Sequence, residues 1–288
     1  MHLLIQLFTH FTLLYQRSVT VLDIPHSGDN EENLPTVVLL GTAQTVKTFM
    51  HHCRDFSRHS RLVVPEMRCQ GTTNLLTNKC SIDQQVVDIE RILNELKIEK
   101  CNLVGFSFGG RVAIAFAAIR KSYVHKVSLS GVPLIRPALG AAILQSWESD
   151  LKNGAIPAWS FILNGYSDYY LHKHAQKLHT YVEYVKEQNC PEKLKDLITS
   201  TNQAGSDNNS PFSVKSCSAM LQCPTQIIAG THDRISGLKD VMDLALEIRK
   251  HGNKNVEYEE INVGHIQPFE DIVTWRNLVL QFLKKEYR

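Results

Sequence analysis

Short apolar runs alternate with segments in which apolar positions recur at helical spacing, over most of the chain. The runs are rich in β-branched residues and leucine, and they predict strands at residues 18–24, 35–40, 61–65, 101–105, 126–130, 225–229 and 256–263. The periodic segments between them predict helices at residues 46–56, 82–98, 111–119, 241–249 and 271–285. Such alternation is typical of a mostly parallel, doubly wound sheet, so the predicted fold class is α/β.

Polar residues mark two boundaries near the start of this pattern. The polar segment 27–33 predicts a turn, and we expect it to close a hairpin between the first two strands. Ser81 and Gln84 have the spacing of a capping box, which predicts the beginning of the helix that follows.

The alternation stops between residues 133 and 216. Helix-length segments rich in tryptophan, tyrosine and leucine occupy this region instead. We interpret residues 133–216 as a helical cap inserted into an α/β core that consists of residues 18–132 and 217–288. The aromatic side chains of the cap suit either an apolar pocket or simple packing against the core.

Residues 1–17 precede the first predicted strand and leave three alternatives open. Residues 3–14 are apolar but interrupted by Gln6, Thr9, His10 and Thr12, with no basic n-region ahead of them. The run is too short to span a bilayer. It suits a targeting or membrane-surface segment, an additional strand or helix packed on the domain, or a poorly ordered extension.

Length and charge narrow the range of partners. A chain of 288 residues with 43% hydrophobic content can bury a large core. The formal net charge is only +2, and the lysines and arginines are scattered. This distribution favours neither nucleic acid nor an acidic membrane surface as a partner, and we expect a small, largely uncharged molecule. The oligomeric state is left open.

The cysteines indicate the compartment. Seven of them are widely spaced and form no C-x-x-C pair. An odd number at such spacings argues against a disulfide framework and against a zinc site. We therefore expect a reducing compartment, and hence a cytoplasmic protein.

The most informative motif is the G-x-S-x-G pentapeptide that begins at Gly105 and ends at Gly109. It follows a predicted buried strand and precedes a predicted helix, so Ser107 falls on a sharp strand-to-helix turn. A serine on such a turn is exposed at the edge of the sheet, and its crowded neighbours have to be glycine. Ser107 is the candidate nucleophile.

A neutral serine hydroxyl needs a base, and the base needs an acid that orients it. Asp233 follows the predicted strand 225–229, and His265 follows the next one, beside a glycine. Both loops lie at the carboxyl ends of strands, where the active sites of parallel sheets form. The chain order Ser, Asp, His therefore predicts Asp233 as the acid and His265 as the base.

Other candidates for these roles are weaker. The loop 131–136 after the preceding strand contains no carboxylate, and we expect three further histidines, at positions 125, 232 and 251, at the surface. The spacing of His172, His174 and His179 does not place three ligands on one helical face. We expect neither a metal nor a cofactor. Acyl chemistry also needs oxyanion donors, for which we predict the backbone N–H groups of Phe108 and Thr42.

These residues together resemble the α/β-hydrolase superfamily, from residue 18 onward. The resemblance rests on the elbow from Gly105 to Gly109 and on Asp233 and His265, and it implies an eight-stranded, mostly parallel sheet with a lid. It departs from the superfamily at Leu40, where members with a lid usually carry histidine before the glycine. The serine nucleophile points away from dehalogenases and epoxide hydrolases, towards esterases, thioesterases, lipases, C–C hydrolases and small-peptide hydrolases.

Three functions are compatible with this sequence. The first is a serine hydrolase, most simply of class EC 3.1, that cleaves carboxylic esters or thioesters of a small apolar substrate through an acyl-enzyme on Ser107. The second is an acyltransferase or lyase on the same scaffold, in which the cap excludes water. The third is a non-catalytic binding protein on a hydrolase fold.

Overall fold

The computed structural model describes residues 8–12, 18–29, 33–73, 80–206 and 208–287. Within these ranges eight strands form a single sheet. The strands are β1 (Phe8–Thr12), β2 (Ser18–Ile24), β3 (Asn33–Leu39), β4 (Ser60–Pro65), β5 (Cys101–Phe106), β6 (Val124–Ser130), β7 (Thr225–Gly230) and β8 (Val256–Ile261).

The sheet is mostly parallel. Its strand order is β1-β2-β4-β3-β5-β6-β7-β8, and only the pairs β1–β2 and β2–β4 are antiparallel. Every residue of the central strand β5 is buried. Parallel strands that are covered on both faces are apolar throughout, which is why these segments lack the polar–apolar alternation of an exposed sheet. The predicted α/β fold class is confirmed.

The predicted hairpin between β2 and β3 is wrong, because β4 lies between them. Ile24 of β2 pairs with Leu62 of β4, and Val37 of β3 pairs with Val63 on the other side of β4. β3 is buried between two parallel neighbours, β4 on one edge and β5 on the other, so neither of its edges is left to pair with β2. Residues 8–12 of the N-terminal extension form β1, the additional-strand alternative.

Helices cover both faces of the sheet. They are α1 (Val46–Phe49), α2 (Cys53–Ser57), α3 (Ile82–Glu95), α4 (Phe108–Ile119), α5 (Ala138–Lys152), α6 (Ala158–Gly165), α7 (Asp168–Lys173), α8 (Leu178–Gln188), α9 (Pro191–Ser206), α10 (Val214–Ser218), α11 (Leu238–Lys250), α12 (Gln267–Glu270) and α13 (Ile272–Lys284). In the described part of the chain, no helix has the length and apolar character needed to cross a membrane.

The single helix predicted at residues 46–56 is two short helices, α1 and α2. At the turn between them His52 is fully buried, and its Nε2 lies 2.7 Å from the carbonyl oxygen of Pro268. The turn lets this imidazole reach α12 while Phe49 and Phe56 both pack against Trp275.

Ser81 precedes α3 as predicted, but its side chain makes no capping hydrogen bond.

Neighbouring residues of β5 point into two different hydrophobic clusters. Leu103 packs with residues of α3, α4 and α11, whereas Val104 packs with residues of α1, α2 and α13. The sheet is therefore covered on both faces, which makes the fold doubly wound. Helices α5 to α9 lie between β6 and β7 in sequence, in the region predicted as a cap.

The prediction that the cysteines form no disulfide framework needs one correction. Cys69 and Cys80 form a disulfide with a Cα–Cα distance of 6.6 Å. Cys69 lies in the loop after β4 and Cys80 lies just before α3, so the fold brings together two cysteines that are separated by 11 positions. Cys53, Cys101 and Cys217 are free and buried. The cytoplasmic location stays a prediction.

Candidate active site

The loops after β5, β7 and β8 meet at one edge of the sheet. They carry Ser107, Asp233 and His265, which are far apart in sequence. Parallel strands end at a common edge, and the loops that follow neighbouring strands therefore converge there. The structure brings all three residues together.

Ser107 lies between β5 and α4 on a strained turn. Its φ of 51° and ψ of −116° are unfavourable for a residue with a side chain. Its N–H donates a hydrogen bond to the carbonyl oxygen of Ser130 (2.9 Å), which helps to hold the turn. A Cβ atom at Gly109 would lie 2.1 Å from the carbonyl oxygen of Leu39, and one at Gly105 would lie 2.6 Å from Cα of Gly110. Both positions lack room for a side chain.

Hydrogen bonds link the three side chains in series. The Nδ1–H of His265 donates to Oδ2 of Asp233 (2.8 Å), and the hydroxyl of Ser107 donates to Nε2 of His265 (2.8 Å). The carboxylate of Asp233 can only accept a hydrogen bond, so Nδ1 of His265 carries the proton. Nε2 therefore presents its lone pair to the hydroxyl of Ser107. The Asp233 side chain is fully buried and that of His265 is 7% exposed. The arrangement can remove a proton from Ser107.

The carboxylate of Asp233 is fixed by its own loop. Oδ1 accepts hydrogen bonds from the backbone N–H groups of Ile235 and Ser236, both at 2.8 Å. The hydroxyl of Ser236 donates to the carbonyl oxygen of Gly131 (2.7 Å) and lies 3.4 Å from Nδ1 of His265. Sequence reasoning missed Ser236, although an aspartate that accepts from the amides two and three residues later is a recognisable turn pattern.

Glu270 ties the inserted helices to the loop that carries His265. Its carboxylate accepts from the N–H of Gly264 (3.0 Å), from the N–H of Ser167 (2.9 Å) and from the Ser167 hydroxyl. In addition, the N–H of Ile266 donates to the carbonyl oxygen of Gly165 (2.8 Å). Sequence reasoning missed Glu270, and no sequence signal identifies it, because its partner Ser167 lies 103 positions away in the chain.

The predicted oxyanion donors lie beside Ser107. Phe108 is the first residue of α4, and Thr42 follows β3 in a loop that also contains Ala43, with a φ of 62°. Both residues line the same cavity as Ser107. Their backbone N–H groups donate to no acceptor among the described residues. Two free N–H groups beside a serine hydroxyl can bind an oxygen that becomes negatively charged.

Ser107 and His265 line a cavity of about 610 Å³. Aromatic side chains of the inserted helices form much of its wall, among them Trp147, Phe161, Tyr166, Tyr170, Tyr181 and Tyr184. The rings of Tyr166 and Tyr170 are stacked at 4.3 Å, and burial raises the pKa of both phenols. Arg111, which sequence reasoning also missed, lines the cavity one helical turn after the serine.

The remaining histidine candidates lie away from this geometry. His232 and His251 are exposed as expected, and His125 is partly buried. His179 packs edge-on against Trp159. Within the described ranges, no three histidine, cysteine, aspartate or glutamate side chains are grouped as metal ligands would be.

A sequence profile of the alpha/beta hydrolase fold matches residues 19–271. The chain is 34% identical over 82 residues to a Bacillus subtilis (strain 168) protein named "Putative 2-succinyl-6-hydroxy-2,4-cyclohexadiene-1-carboxylate synthase". That alignment covers 28% of this chain and 29% of the relative, so the chain matches less than a third of the relative's length.

Solved structures of hydrolases have the same fold at low sequence identity. MGS-M2, an alpha/beta hydrolase enzyme from a Medee basin deep-sea metagenome library, is 20% identical with a TM-score of 0.82, covering 97% of this chain and 98% of that one. The enol-lactonase from Burkholderia xenovorans LB400 is 16% identical with a TM-score of 0.79, over 93% and 97% of the two chains. A thermophilic esterase from Thermogutta terrifontis is 17% identical with a TM-score of 0.77, over 96% and 98%.

Proposed function

The chain belongs to the alpha/beta hydrolase fold family, and from this premise we propose that it is a serine hydrolase that cleaves carboxylic esters or thioesters through an acyl-enzyme on Ser107. The observation that carries the proposal is the hydrogen-bonded series from Asp233 through His265 to Ser107, with 2.8 Å at each step. Such a series supplies a nucleophile, a base and the group that orients the base.

In the first half of the reaction, Ser107 Oγ attacks the carbonyl carbon of the substrate while Nε2 of His265 takes the hydroxyl proton. The negative charge that forms on the carbonyl oxygen is stabilised by the N–H groups of Thr42 and Phe108. Asp233 stabilises the imidazolium that results. His265 then protonates the leaving alcohol or thiol, and the acyl group stays on Ser107 as an ester.

The second half repeats these steps with water. His265 removes a proton from a water molecule, whose oxygen attacks the acyl carbon. The same two N–H groups stabilise the second oxyanion. His265 returns the proton to Ser107 Oγ as the acid product leaves, so the enzyme ends in its starting protonation state.

The composition and the size of the cavity favour a small organic substrate with a substantial apolar part. Aromatic rings contribute much of the surface, and a volume of about 610 Å³ is in the usual range for small-molecule sites. Relatives of the same fold include proteins named as an esterase and as an enol-lactonase, and both names denote ester chemistry. We propose further that residues 133–216 act as a cap that shields the acyl-enzyme.

A fluorophosphonate reagent tests the proposed nucleophile directly. We expect covalent labelling of the purified protein at Ser107, located by peptide mass spectrometry, because an activated serine attacks phosphorus as it attacks a carbonyl carbon. Ser107→Ala should abolish both labelling and ester turnover. Ser146→Ala serves as the matched control, because Ser146 is exposed on α5 and bonds only its own helix. Labelling that persists in Ser107→Ala would overturn the assignment.

A second candidate is a lyase or acyltransferase that uses the same three residues. The match to a protein named as a synthase favours it, together with a cavity to which residues of the proposed cap contribute much of the wall. Exclusion of water would let a different acceptor or an internal proton transfer compete with hydrolysis. Turnover of simple 4-nitrophenyl esters with water as the acceptor separates the candidates, since only a hydrolase should complete many cycles.

A further inference from the structure

The cavity that contains Ser107 also contains a guanidinium group that has no partner among the residues that the structure describes. Arg111 lies one turn after Ser107, and its backbone N–H donates to the Ser107 carbonyl oxygen (3.1 Å). Residues four positions apart lie on the same face of a helix, so the Arg111 side chain extends from the face of α4 that presents the serine. Both residues line the same cavity.

Arg111 is partly buried, and its side chain forms no hydrogen bond or ion pair with any residue that the structure describes. Five other arginines pair with a carboxylate: Arg61, Arg68, Arg120, Arg234 and Arg276. A guanidinium has five N–H donors, and taking its charge out of bulk water is costly unless an anion or other acceptors replace the water.

The surroundings of Arg111 oppose its charge. Burial, with a smaller contribution from the nearby charge of Arg136, lowers the pKa of Arg111 to about 9. The guanidinium is still protonated at pH 7, so the protein maintains a positive charge where it is unfavourable. An anion bound in this place would compensate the charge.

Arg136 is a second cation in the same cavity, and it pairs with no carboxylate in the described part of the chain. Its guanidinium donates to the carbonyl oxygen of Thr201 (2.8 Å) and to Oδ1 of Asn202 (3.2 Å), both of which are neutral acceptors. A Cβ atom at Gly205 would lie 2.3 Å from Cζ of Arg136, so the glycine leaves the space that the guanidinium occupies. These contacts fix the position of Arg136 without neutralising it.

The residues that line the cavity in the described part of the chain include Lys47, Arg111 and Arg136 but no aspartate or glutamate. We propose that the substrate carries a carboxylate in addition to its scissile ester, and that Arg111 binds this carboxylate while Arg136 adds a second positive charge. The inference rests on the proposed function, and it identifies the substrate class as half-esters or half-thioesters of small dicarboxylic acids.

Carboxylate is the anion that this arrangement suits best. The planar guanidinium fork forms two parallel hydrogen bonds with a carboxylate, and the rest of the wall is largely apolar. Arg111 is only one helical turn from Ser107, so a short chain suffices to join the bound carboxylate to the scissile carbonyl. This local charge is invisible in the overall net charge of +2, from which a largely uncharged partner was expected.

Binding to Ser107→Ala tests the proposal without requiring turnover. Monomethyl succinate, monomethyl glutarate and monomethyl adipate are titrated calorimetrically, each beside the methyl alkanoate of equal length. We expect at least one half-ester to bind roughly 10-fold or more tightly than its uncharged counterpart, because a charged hydrogen-bonded pair contributes about that factor. Ser107→Ala/Arg111→Met should lose this preference.

Arg120→Met in the Ser107→Ala background is the matched control. Arg120 follows the same helix but pairs with Glu90 outside the cavity, so the preference for half-esters should persist. Equal binding of charged and uncharged esters to Ser107→Ala would overturn the proposal. A preference that survives Arg111→Met would do the same. Tighter binding of a sulfonate or phosphate analogue than of the half-ester of equal length would also overturn it.

Two further measurements guard against ambiguous results. Arg111→Met removes an uncompensated charge, so its melting temperature should equal or exceed that of the wild type, whereas loss of a structural arginine would lower it. Arg111→Lys keeps a charge without the fork, and should retain only part of the preference. If the half-esters bind as expected but the wild type hydrolyses none of the esters, the proposed hydrolase function fails while the carboxylate site stands.

Discussion

At the scale of single residues, the site depends on protons held at particular atoms. Asp233 accepts two backbone N–H groups at Oδ1, which leaves Oδ2 free to accept from Nδ1 of His265. The resulting imidazole tautomer is the one that can accept a proton from Ser107. The role of the aspartate is therefore testable by a change that alters hydrogen-bonding capacity with little change in shape.

We expect Asp233→Asn to lower kcat by roughly 10²–10⁴-fold, with the protein still folded. The amide oxygen can still accept from Ile235 and Ser236, but the amide NH₂ then faces Nδ1 and favours the wrong imidazole tautomer. Steady-state kinetics on a nitrophenyl ester, with circular dichroism as a check of folding, measures the effect. Nearly full activity would mean that another carboxylate orients His265.

The burial of His52 leads to a second prediction, which concerns how the free energy of unfolding depends on pH. Burial lowers its pKa from the ordinary value of 6.5 to about 4, so it is neutral in the folded protein at neutral pH. In the unfolded chain it gains a proton near pH 6.5. The unfolded state therefore binds more protons as the pH falls below 6.5, and stability is lost between about pH 6.5 and 4, by at most about 3 kcal/mol.

Urea unfolding at a series of pH values checks this expectation. His52→Gln should reduce the loss of unfolding free energy between pH 7 and pH 4.5, and the exposed His251 offers a control substitution. An unchanged slope in His52→Gln would show that other groups cause the acid sensitivity. His59 is a second source, because burial lowers its pKa to about 4 as well.

At the scale of elements, most strands and helices follow from local pattern. The predicted core strands are all present, with ends that move by at most two residues. The errors have tertiary causes. The segment 46–56 has one helical period but is broken at His52, because this side chain bonds α12. The hairpin between β2 and β3 is absent because strand order depends on which edges are buried.

Glu270 joins Ser167, which lies between α6 and α7, to the loop that carries His265, and this contact can be tested by substitution. We expect Glu270→Gln to lower kcat roughly 10-fold and to cost about 1.5–3 kcal/mol of stability, because an amide cannot accept all three hydrogen bonds. Glu257→Gln is the matched control, since this carboxylate on β8 accepts from Lys285 and Tyr287 away from the cavity. It should affect stability without the loss of kcat. Equal effects of both variants on kcat would contradict a positioning role for Glu270.

At the scale of the whole molecule, the cavity beside Ser107 exists only because two parts of the chain meet. The edge of the sheet contributes Ser107 and His265, and the inserted helices contribute most of the aromatic wall. The wall of the cavity is not uniform in polarity. Aromatic rings form much of it, and Arg111 and Arg136 add positive charge. We therefore expect the length of a substrate to matter as well as its charge.

We expect kcat/KM for uncharged 4-nitrophenyl alkanoates to rise over the first several methylenes and then fall. Each buried methylene contributes up to about 0.8 kcal/mol, or roughly a fourfold increase, until the cavity is filled. Esters from acetate to decanoate, assayed under identical conditions, give the profile. A flat profile would mean that the acyl chain lies in solvent, and would favour short polar substrates.

The sequence by itself determined the α/β class, the strand-to-helix turn at Ser107 and the order of Ser107, Asp233 and His265 along the chain. These features depend on residues that are close together in sequence. They are the spacing of the apolar residues, the glycines at a crowded turn and the polar residues just after the strands. Tertiary structure alone decided the strand order, the Cys69–Cys80 disulfide and the contacts of Glu270. It also decided that the charge of Arg111 has no partner among the described residues, because whether a group has a partner depends on residues that are distant in sequence and meet only in the fold.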